Sequence, residues 1–215
     1  MRPLDGVEKA LARLAPGWLV DAARRPLGET FSAAGRMLGK ERFTLEQDEA
    51  HAIGATGLLG VERWGADELG RIALLLLPGV KPEAVEQCFF RGDNRERQAV
   101  LKALPFVEEP ARFIALGVEA CRTSVEDVFR AIACDNPFPA RQFPPASFNQ
   151  MVLKAMFNGV PTAGILGLAD HVTPELLRMA DDYAAERRAA GRTVPEDVAA
   201  LHALTVAAEL ERGPS

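Results

Sequence analysis

Apolar side chains recur every three or four residues along most of the chain, which is the spacing of one face of an α-helix. The clearest stripes are Val125, Val128, Phe129 and Ile132, then Phe148, Met151, Val152, Ala155 and Met156. Strict alternation of apolar and polar residues, which marks a half-buried strand, is almost absent, and no hairpin turn signal is found. The pattern predicts an all-α fold.

Short helices separated by frequent turn signals favour one of two architectures. The segment from Pro82 to Ala133 resembles two antiparallel helix pairs, which is typical of stacked HEAT-like hairpins. We therefore expect an α-solenoid array of antiparallel helical hairpins, with an irregular helical bundle as the alternative. Residues 1–215 are predicted to form a single all-helical domain, in which N-terminal helices within 1–64 cap a helical-repeat-like core over 65–212.

Four helix starts are predicted from capping boxes, in which a cap residue is followed three residues later by Glu or Gln. These caps are Thr44, Asp93, Thr123 and Ser147. Between the last two, the run Asn136-Pro137-Phe138-Pro139 is expected to be non-helical, because each proline biases its predecessor toward extended geometry. A rigid loop rich in Asp, Asn and Arg is a candidate functional segment.

Composition and charge exclude several classes of function. The chain is 48% hydrophobic, enough for a sizeable core, and its formal net charge of −5 gives no electrostatic case for nucleic acid. The longest dense apolar run, Ile72–Leu77, is far too short to span a bilayer. The N-terminus lacks an apolar signal-peptide region, so we expect a cytoplasmic protein that reaches membranes only by peripheral recruitment to membrane proteins.

Cysteine and histidine usage predicts neither a disulfide nor a metal site. Cys88, Cys121 and Cys134 are few, odd in number and set in apolar patterns, which is typical of shielded thiols. The three histidines lack metal-ligand spacing, and no phosphate-binding loop follows a strand. No cofactor is predicted. Gly54, Gly57 and Gly60 are interpreted as sites of close helix packing.

Several motifs in the C-terminal half resemble one known family. They include Arg122-Thr123, Asn136-Pro137-Phe138-Pro139-Ala140, Asn149-Gln150-Met151-Val152-Leu153-Lys154-Ala155, Pro174-Glu175-Leu176 and Asp182-Tyr183-Ala184. Together they resemble the EboA family, whose members are encoded in bacterial and algal ebo gene clusters. The resemblance implies a role in the traffic of secondary-metabolite precursors, together with other ebo-cluster proteins, and it carries over no catalytic residue.

A polar stripe along one predicted helix supplies the main binding hypothesis. Gln150, Lys154 and Asn158 are spaced four apart, opposite the apolar face, and Asn149 lies beside them. Such a stripe binds a polar ligand in a groove or is simply a solvated helix face. The candidate ligand- or partner-binding residues are Arg122, Asp135, Asn136, Arg141, Asn149, Gln150, Lys154 and Asn158.

Two classes of function remain, and the EboA resemblance implies the first of them. The favoured one is a non-enzymatic adaptor or carrier that binds a small-molecule metabolite or a partner protein through a groove near residues 121–158. The alternative is a small all-α enzyme of secondary metabolism with an Asn/Lys/Arg-lined pocket. A deep cavity holding Asn149, Lys154 and a perturbed carboxylate or thiol would favour the enzyme, and an open groove would favour the carrier.

The charged turn from Arg91 to Arg97 also has two interpretations. Arg91 or Arg95 could hold an anionic ligand at a helix N-terminus. We favour the structural interpretation, in which Asp93 caps the helix and the arginines form ion pairs with neighbouring helices.

Overall fold

A computed structural model describes residues 3–55 and 57–212, with side chains over 5–55 and 57–205. The α-helices are α1 (Pro3–Leu14), α2 (Trp18–Ala23), α3 (Leu27–Met37), α4 (Gln47–Gly54), α5 (Ala66–Leu75), α6 (Pro82–Arg91), α7 (Asn94–Ala103), α8 (Ile114–Ala120), α9 (Glu126–Ala133), α10 (Phe138–Gln142), α11 (Pro145–Asn158), α12 (Leu168–His171), α13 (Pro174–Ala189) and α14 (Glu196–Arg212). Three short 3-10 turns lie at Val61–Arg63, Pro110–Phe113 and Thr162–Gly164. No strand forms within the described residues, so the predicted all-α fold is confirmed.

The chain divides into two compact units, one ending at Phe138 and the other starting at Pro139. The single-domain organisation and the solenoid array of hairpins remain predictions. No helix in the described part of the chain combines the length and the apolar character needed to cross a membrane.

The first unit is built around α5. All ten residues of this helix are buried, because α3 and α7 pack against it and α1 and α2 cover it as well. Helix α7 packs against α9 as well as against α5. The apolar stripe of α9, formed by Val128, Phe129 and Ile132, is fully buried. This order of packing places the end of α7 beside α9, where a cavity forms.

Buried charges tie three of these helices together. The carboxylate of Asp67 is completely buried and lies 2.5 Å from Arg71 Nη1 and 2.6 Å from Arg95 Nη2. Arg71 Nε also donates to the carbonyl of Phe31 at 3.1 Å. The network therefore links α3, α5 and α7, and Arg95 is an ion-pair partner, as the structural interpretation of the charged turn predicted.

Capping explains where several helices begin and shows where the sequence prediction was wrong. The box formed by Asp93 and Glu96 is present at α7. The box predicted at Thr44 lies two residues later, since Glu46 and Glu49 cap α4 reciprocally. Thr123 lies outside α9, and its hydroxyl oxygen accepts a hydrogen bond from Val125 N at 3.1 Å.

Proline lies in the first turn of both α10 and α11, and both helices begin at positions that differ from the prediction. The run around Phe138 was expected to be non-helical, but α10 begins at that residue. Proline is tolerated in a first helical turn, because the N–H that it lacks would have no partner there. For the same reason α11 begins at Pro145, so Ser147 lies inside its first turn instead of capping it.

The second unit contains α11 to α14. α11 packs on α13, and both α12 and α13 pack on α14. Thr162 binds the start of α14, because its backbone N–H and its hydroxyl both donate to Asp197 Oδ1, at 2.8 and 2.5 Å. The Phe148 ring stacks on His171 with centroids 4.6 Å apart.

Candidate functional site

A cavity of about 430 Å³ opens in the first unit between residues 57–64, the end of α7, and α9 with the turn that follows it. Small-molecule sites in proteins typically have volumes of roughly 300–1,000 Å³. Its lining combines aromatic and hydrogen-bonding side chains, including Arg63, Trp64, Gln98, Lys102, Asp127 and Arg130. The cavity is therefore large enough for a small organic molecule.

The glycines of the first wall serve a turn and not helix packing. Gly57 and Gly60 have φ values of 82° and 69°, in the left-handed region that favours glycine. A Cβ at Gly60 would lie 2.4 Å from Arg63 Nη2, whereas one at Gly54 or Gly57 would meet no atom within 4 Å. The predicted close helix packing at these glycines is wrong, and the turn instead carries Arg63 and Trp64 to the cavity.

Lys102 forms the second wall from the last turn of α7. Its Nζ lies 2.5 Å from Glu68 Oε1 and 5.1 Å from the centroid of the Trp64 ring. The ammonium group thus has both a carboxylate and an aromatic face as neighbours, and each attracts a cation. These contacts hold Lys102 at the cavity in a defined orientation.

The third wall is α9, which presents charges of both signs. Arg130 Nε donates to Glu126 Oε1 at 2.7 Å, one turn away on the same helix. Asp127 is exposed and lines the cavity, and within the described residues its carboxylate has neither an ion pair nor a hydrogen bond. Asp127 is therefore an acceptor that a bound molecule can reach.

A tight turn after α9 completes the lining. Asp135 has a φ of 52°, and its carboxylate lies 2.5 Å from Arg63 Nη2. Asn136 is buried, and its Nδ2 donates to the carbonyls of Ala131 and Leu101 at 2.8 and 3.0 Å. Its Oδ1 accepts from Phe138 N at 2.9 Å. The amide of Asn136 is thus engaged with the backbone and fixes the turn.

Cys134, at the start of this turn, is the thiol of the cavity. Burial raises its pKa above the usual value, and Asp135 adds to the effect, although Arg130 and Arg63 oppose it. Because the thiolate is the reactive form, a raised pKa keeps this side chain protonated and weakly nucleophilic at neutral pH.

The charges of the cavity largely neutralise one another. Arg63, Lys102 and Arg130 each pair with a carboxylate, at 2.5, 2.5 and 2.7 Å. With Asp127 as an additional acceptor, the site suits a ligand that offers hydrogen-bond donors as well as acceptors. It has no surplus of positive charge for a polyanion.

Two of the predicted binding residues, Asp135 and Asn136, line this cavity. Arg122 belongs to the same unit, where its side chain is exposed and pairs with Glu119 at 2.9 Å. The prediction missed Arg63, Trp64, Gln98 and Lys102. Their sequence neighbours give no signal of a shared site, because Arg63 and Trp64 meet the residues of α7 only through tertiary contacts, such as that of the Lys102 ammonium with the Trp64 ring.

The other predicted residues belong to the second unit. Arg141, Gln150 and Asn158 are exposed, and Lys154 is half-buried. Asn149 is buried instead, with Nδ2 at 3.5 Å from Thr173 Oγ1 and with no hydrogen-bond partner for Oδ1 among the described residues. The predicted stripe is therefore mixed, since it has one buried amide beside exposed polar side chains.

Cysteines and histidines add no further site. Cys88, Cys121 and Cys134 are thiols and form no disulfide. In the part of the chain that the structure describes, no group of three or more His, Cys, Asp or Glu side chains is placed to hold a metal ion.

Fold and cavity together define an all-helical protein with a cavity lined by polar and aromatic side chains. A family model described as metabolite traffic protein EboA matches residues 18–202, so the chain belongs to the EboA family. The same comparisons match the chain to no curated protein and to no solved structure.

Proposed function

We propose that this protein is a non-enzymatic carrier in the traffic of a small metabolite, and that the cavity between Trp64, Lys102 and Asp127 holds the metabolite. The observation that carries the proposal is the cavity itself, with a volume of about 430 Å³ and a lining of aromatic and hydrogen-bonding groups. Family membership supports the same role, because the family is described as one of metabolite traffic proteins.

Three features of the lining favour reversible binding. Trp64 and Phe106 offer apolar ring surface, and Gln98 offers an amide with donors and acceptors. Arg63 and Arg130 are held in partly exposed ion pairs, which a polar ligand can exchange at little cost because such pairs contribute little on their own. A site of this kind binds a compound and releases it unchanged.

The alternative, a small enzyme of secondary metabolism, requires an activated group. Cys134 is the nucleophile available in the cavity, and burial shifts its pKa upward, away from the thiolate. The pocket expected for an enzyme also contained Asn149 and Lys154, which belong to the second unit and not to this lining. These observations favour the carrier.

The polar residues of the second unit that are exposed or half-buried extend the proposal to protein partners. Arg141, Gln150, Lys154 and Asn158 are proposed to contact other ebo-cluster proteins in the cytoplasm, and Arg122 to do so from the first unit. The partners would deliver or collect a secondary-metabolite precursor.

Asp127 offers a direct test of the cavity, because its carboxylate is exposed and none of the described residues pairs with it. If it accepts a hydrogen bond from the ligand, Asp127→Ala weakens binding roughly 10- to 150-fold, since a hydrogen bond to a charged group contributes about 1.5–3 kcal/mol. Asp170→Ala, at an exposed carboxylate of the second unit, is the matched control.

The measurement combines native mass spectrometry of protein purified with its cluster partners and complementation of metabolite export in a strain that lacks the gene. We expect a bound small molecule in the wild type and in Asp170→Ala, and a reduced amount with weak complementation for Asp127→Ala. Gln150→Ala and Lys154→Ala test the second unit separately, by the loss of bound protein partners. Full export by Asp127→Ala with unchanged ligand occupancy would reject the cavity.

A further inference from the structure

A second cleft of the first unit differs in chemistry from the cavity described above. It has a volume of about 390 Å³ and lies between the end of α2, the start of α3, the end of α5 and the start of α6. Leu27, Leu74, Leu77 and Val80 give it apolar walls, and Arg25 and Lys81 are its charged residues. No acidic side chain occurs among its described lining residues.

The two cations of this cleft have no partner. Both side chains are exposed, and across the described part of the chain neither forms an ion pair or a side-chain hydrogen bond. Arg63, Lys102 and Arg130 of the first cavity are each paired with a carboxylate. The second cleft therefore combines apolar surface with two uncompensated positive charges.

The helix starts at the cleft add to this positive field. α3 begins at Leu27, directly after Pro26, and α6 begins at Pro82, directly after Lys81. In the described structure neither start has a side-chain cap. Since Pro82 has no N–H, α6 offers fewer uncapped N–H groups than α3 does. An anionic group near Arg25 and Lys81 gains from both helix dipoles.

We infer that this cleft binds a monomeric anionic amphiphile, with its acidic headgroup between Arg25 and Lys81 and its hydrocarbon chain along Leu27, Leu74 and Leu77. The charge complementarity selects an anion, and the apolar walls select a chain over a small inorganic ion. The inference is independent of the carrier function proposed for the first cavity.

A single molecule fits these observations better than an anionic bilayer does. Recruitment to anionic membranes typically uses clusters of about four to eight basic residues. This cleft has two, and the whole chain carries a formal net charge of −5. Repulsion from an anionic surface thus opposes membrane docking, whereas one headgroup can be matched by two cations.

Binding is tested by calorimetric titration of the full chain with decanoate, below its critical micelle concentration. We expect saturable binding that tightens from hexanoate to decanoate by up to about fourfold for each methylene, which corresponds to about 0.8 kcal/mol. Decyltrimethylammonium, with the same chain and the opposite charge, should bind at least about tenfold more weakly. Absence of decanoate binding, or equal binding of the two probes, would overturn the inference.

Variants locate the ligand. Arg25→Gln combined with Lys81→Gln should weaken decanoate binding at least about tenfold without changing the melting temperature, because neither side chain has a partner within the described structure. Ala23→Phe, at an exposed position of the lining, should block the chain. Arg36→Gln removes an exposed arginine of α3 outside this lining and should bind like the wild type.

Two further results distinguish the site and the source of the ligand. Asp127→Ala should leave decanoate affinity unchanged, because Asp127 belongs to the other cavity, and a large loss there would overturn the assignment to this cleft. Sedimentation with anionic phospholipid vesicles should not deplete the protein. Strong vesicle binding that Arg25→Gln and Lys81→Gln abolish, without binding of monomeric decanoate, would show a membrane-docking surface instead.

Discussion

The side-chain amide of Asn136 donates a hydrogen bond to the backbone carbonyl of Leu101 at 3.0 Å, so a residue of the turn after α9 is fastened to α7. The same nitrogen also donates to Ala131 at 2.8 Å, and the amide oxygen accepts from Phe138 N. One buried amide thus holds the turn that carries Asp135 and Cys134 into the first cavity.

Removing this amide should destabilise the protein. Asn136→Ala removes the side-chain partner of the Ala131 carbonyl and of the Phe138 N–H, whereas the Leu101 carbonyl keeps a bond from Leu104 N at 3.4 Å. We expect a loss of about 1–3 kcal/mol in the free energy of unfolding. Urea denaturation measures the change, with Asn158→Ala as a control at an exposed asparagine. If both variants unfold at the wild-type urea concentration, the hydrogen bonds of Asn136 do not stabilise the fold, and a role of Asn136 in ligand binding is favoured instead.

The buried carboxylate of Asp67 should be far more sensitive than an exposed one. Asp67→Asn removes the closer of the two carboxylates beside Arg71, itself almost fully buried, and breaking a buried ion pair typically costs about 3–5 kcal/mol. Glu96 Oε1 remains 3.9 Å from Arg71 Nη2, so the lower end of that range is expected. Asp182→Asn changes an equally close but exposed pair with Arg178, so little change is expected. Similar midpoints for the two variants in urea would show that the α5 network contributes no special stability.

The same carboxylate gives stability a pH dependence. Burial would raise the pKa of Asp67, but hydrogen bonds from Arg95 and Arg71 outweigh it and hold the pKa below its usual value. A depressed pKa contributes stability that is fully present above the unfolded pKa of about 3.9 and is lost as the pH falls through the folded value. The stability difference between wild type and Asp67→Asn should therefore shrink below about pH 4. An unchanged difference in urea titrations at pH 7 and pH 3 would contradict this.

Cys88 should react very slowly with alkylating reagents in the folded protein. Burial raises its pKa to about 11, with a further contribution from Glu96. At pH 8 its thiolate fraction is then more than about 100-fold smaller than that of an ordinary thiol with a pKa near 8.5. Mass spectrometry after iodoacetamide treatment measures the rate for each cysteine, and the urea-unfolded chain is the control. Equal rates for Cys88 in both states would show that burial does not protect it.

Local sequence signals were sufficient for the fold class and for some helix boundaries. The Asp93 capping box was correct, because both partners lie within one turn and the interaction needs no distant neighbour. Of the predicted stripe, Val128, Phe129 and Ile132 are buried on α9, because helical spacing places them on one face. Val125 precedes the helix as its N-cap and is only half-buried. The prediction that the segment around Phe138 is non-helical was wrong, because proline disrupts the interior of a helix but is tolerated in its first turn.

The site was less predictable because it depends on tertiary contacts. Arg63, Lys102 and Arg130 come from three separate segments. Packing of α7 on α9 brings Lys102 and Arg130 together, and Arg63 joins them through its ion pair with Asp135. Asn136 was selected because polar residues in rigid loops are often functional, yet its amide is engaged with backbone groups that sequence alone does not place beside it. The ion pairs of Asp67 were not predicted either, because charged residues on a helix usually face solvent and only tertiary packing shows that these are buried.

Gly60 connects backbone conformation to the shape of the first cavity. Its φ of 69° is strained for any residue with a Cβ, and in Gly60→Ala that atom would lie 2.4 Å from Arg63 Nη2. The Arg63 side chain would have to move, which breaks its 2.5 Å contact with Asp135. We expect a loss of about 1–2 kcal/mol in the free energy of unfolding from the backbone alone, together with reduced ligand occupancy in native mass spectrometry.

Gly54→Ala is the matched control for this substitution. Gly54 ends α4, its φ is not positive, and an added Cβ would meet no atom within 4 Å. Such a substitution restricts the unfolded chain and is expected to be neutral or slightly stabilising. If Gly60→Ala melts like Gly54→Ala and retains its bound metabolite, the turn does not set the position of Arg63, and the first cavity does not depend on that side chain.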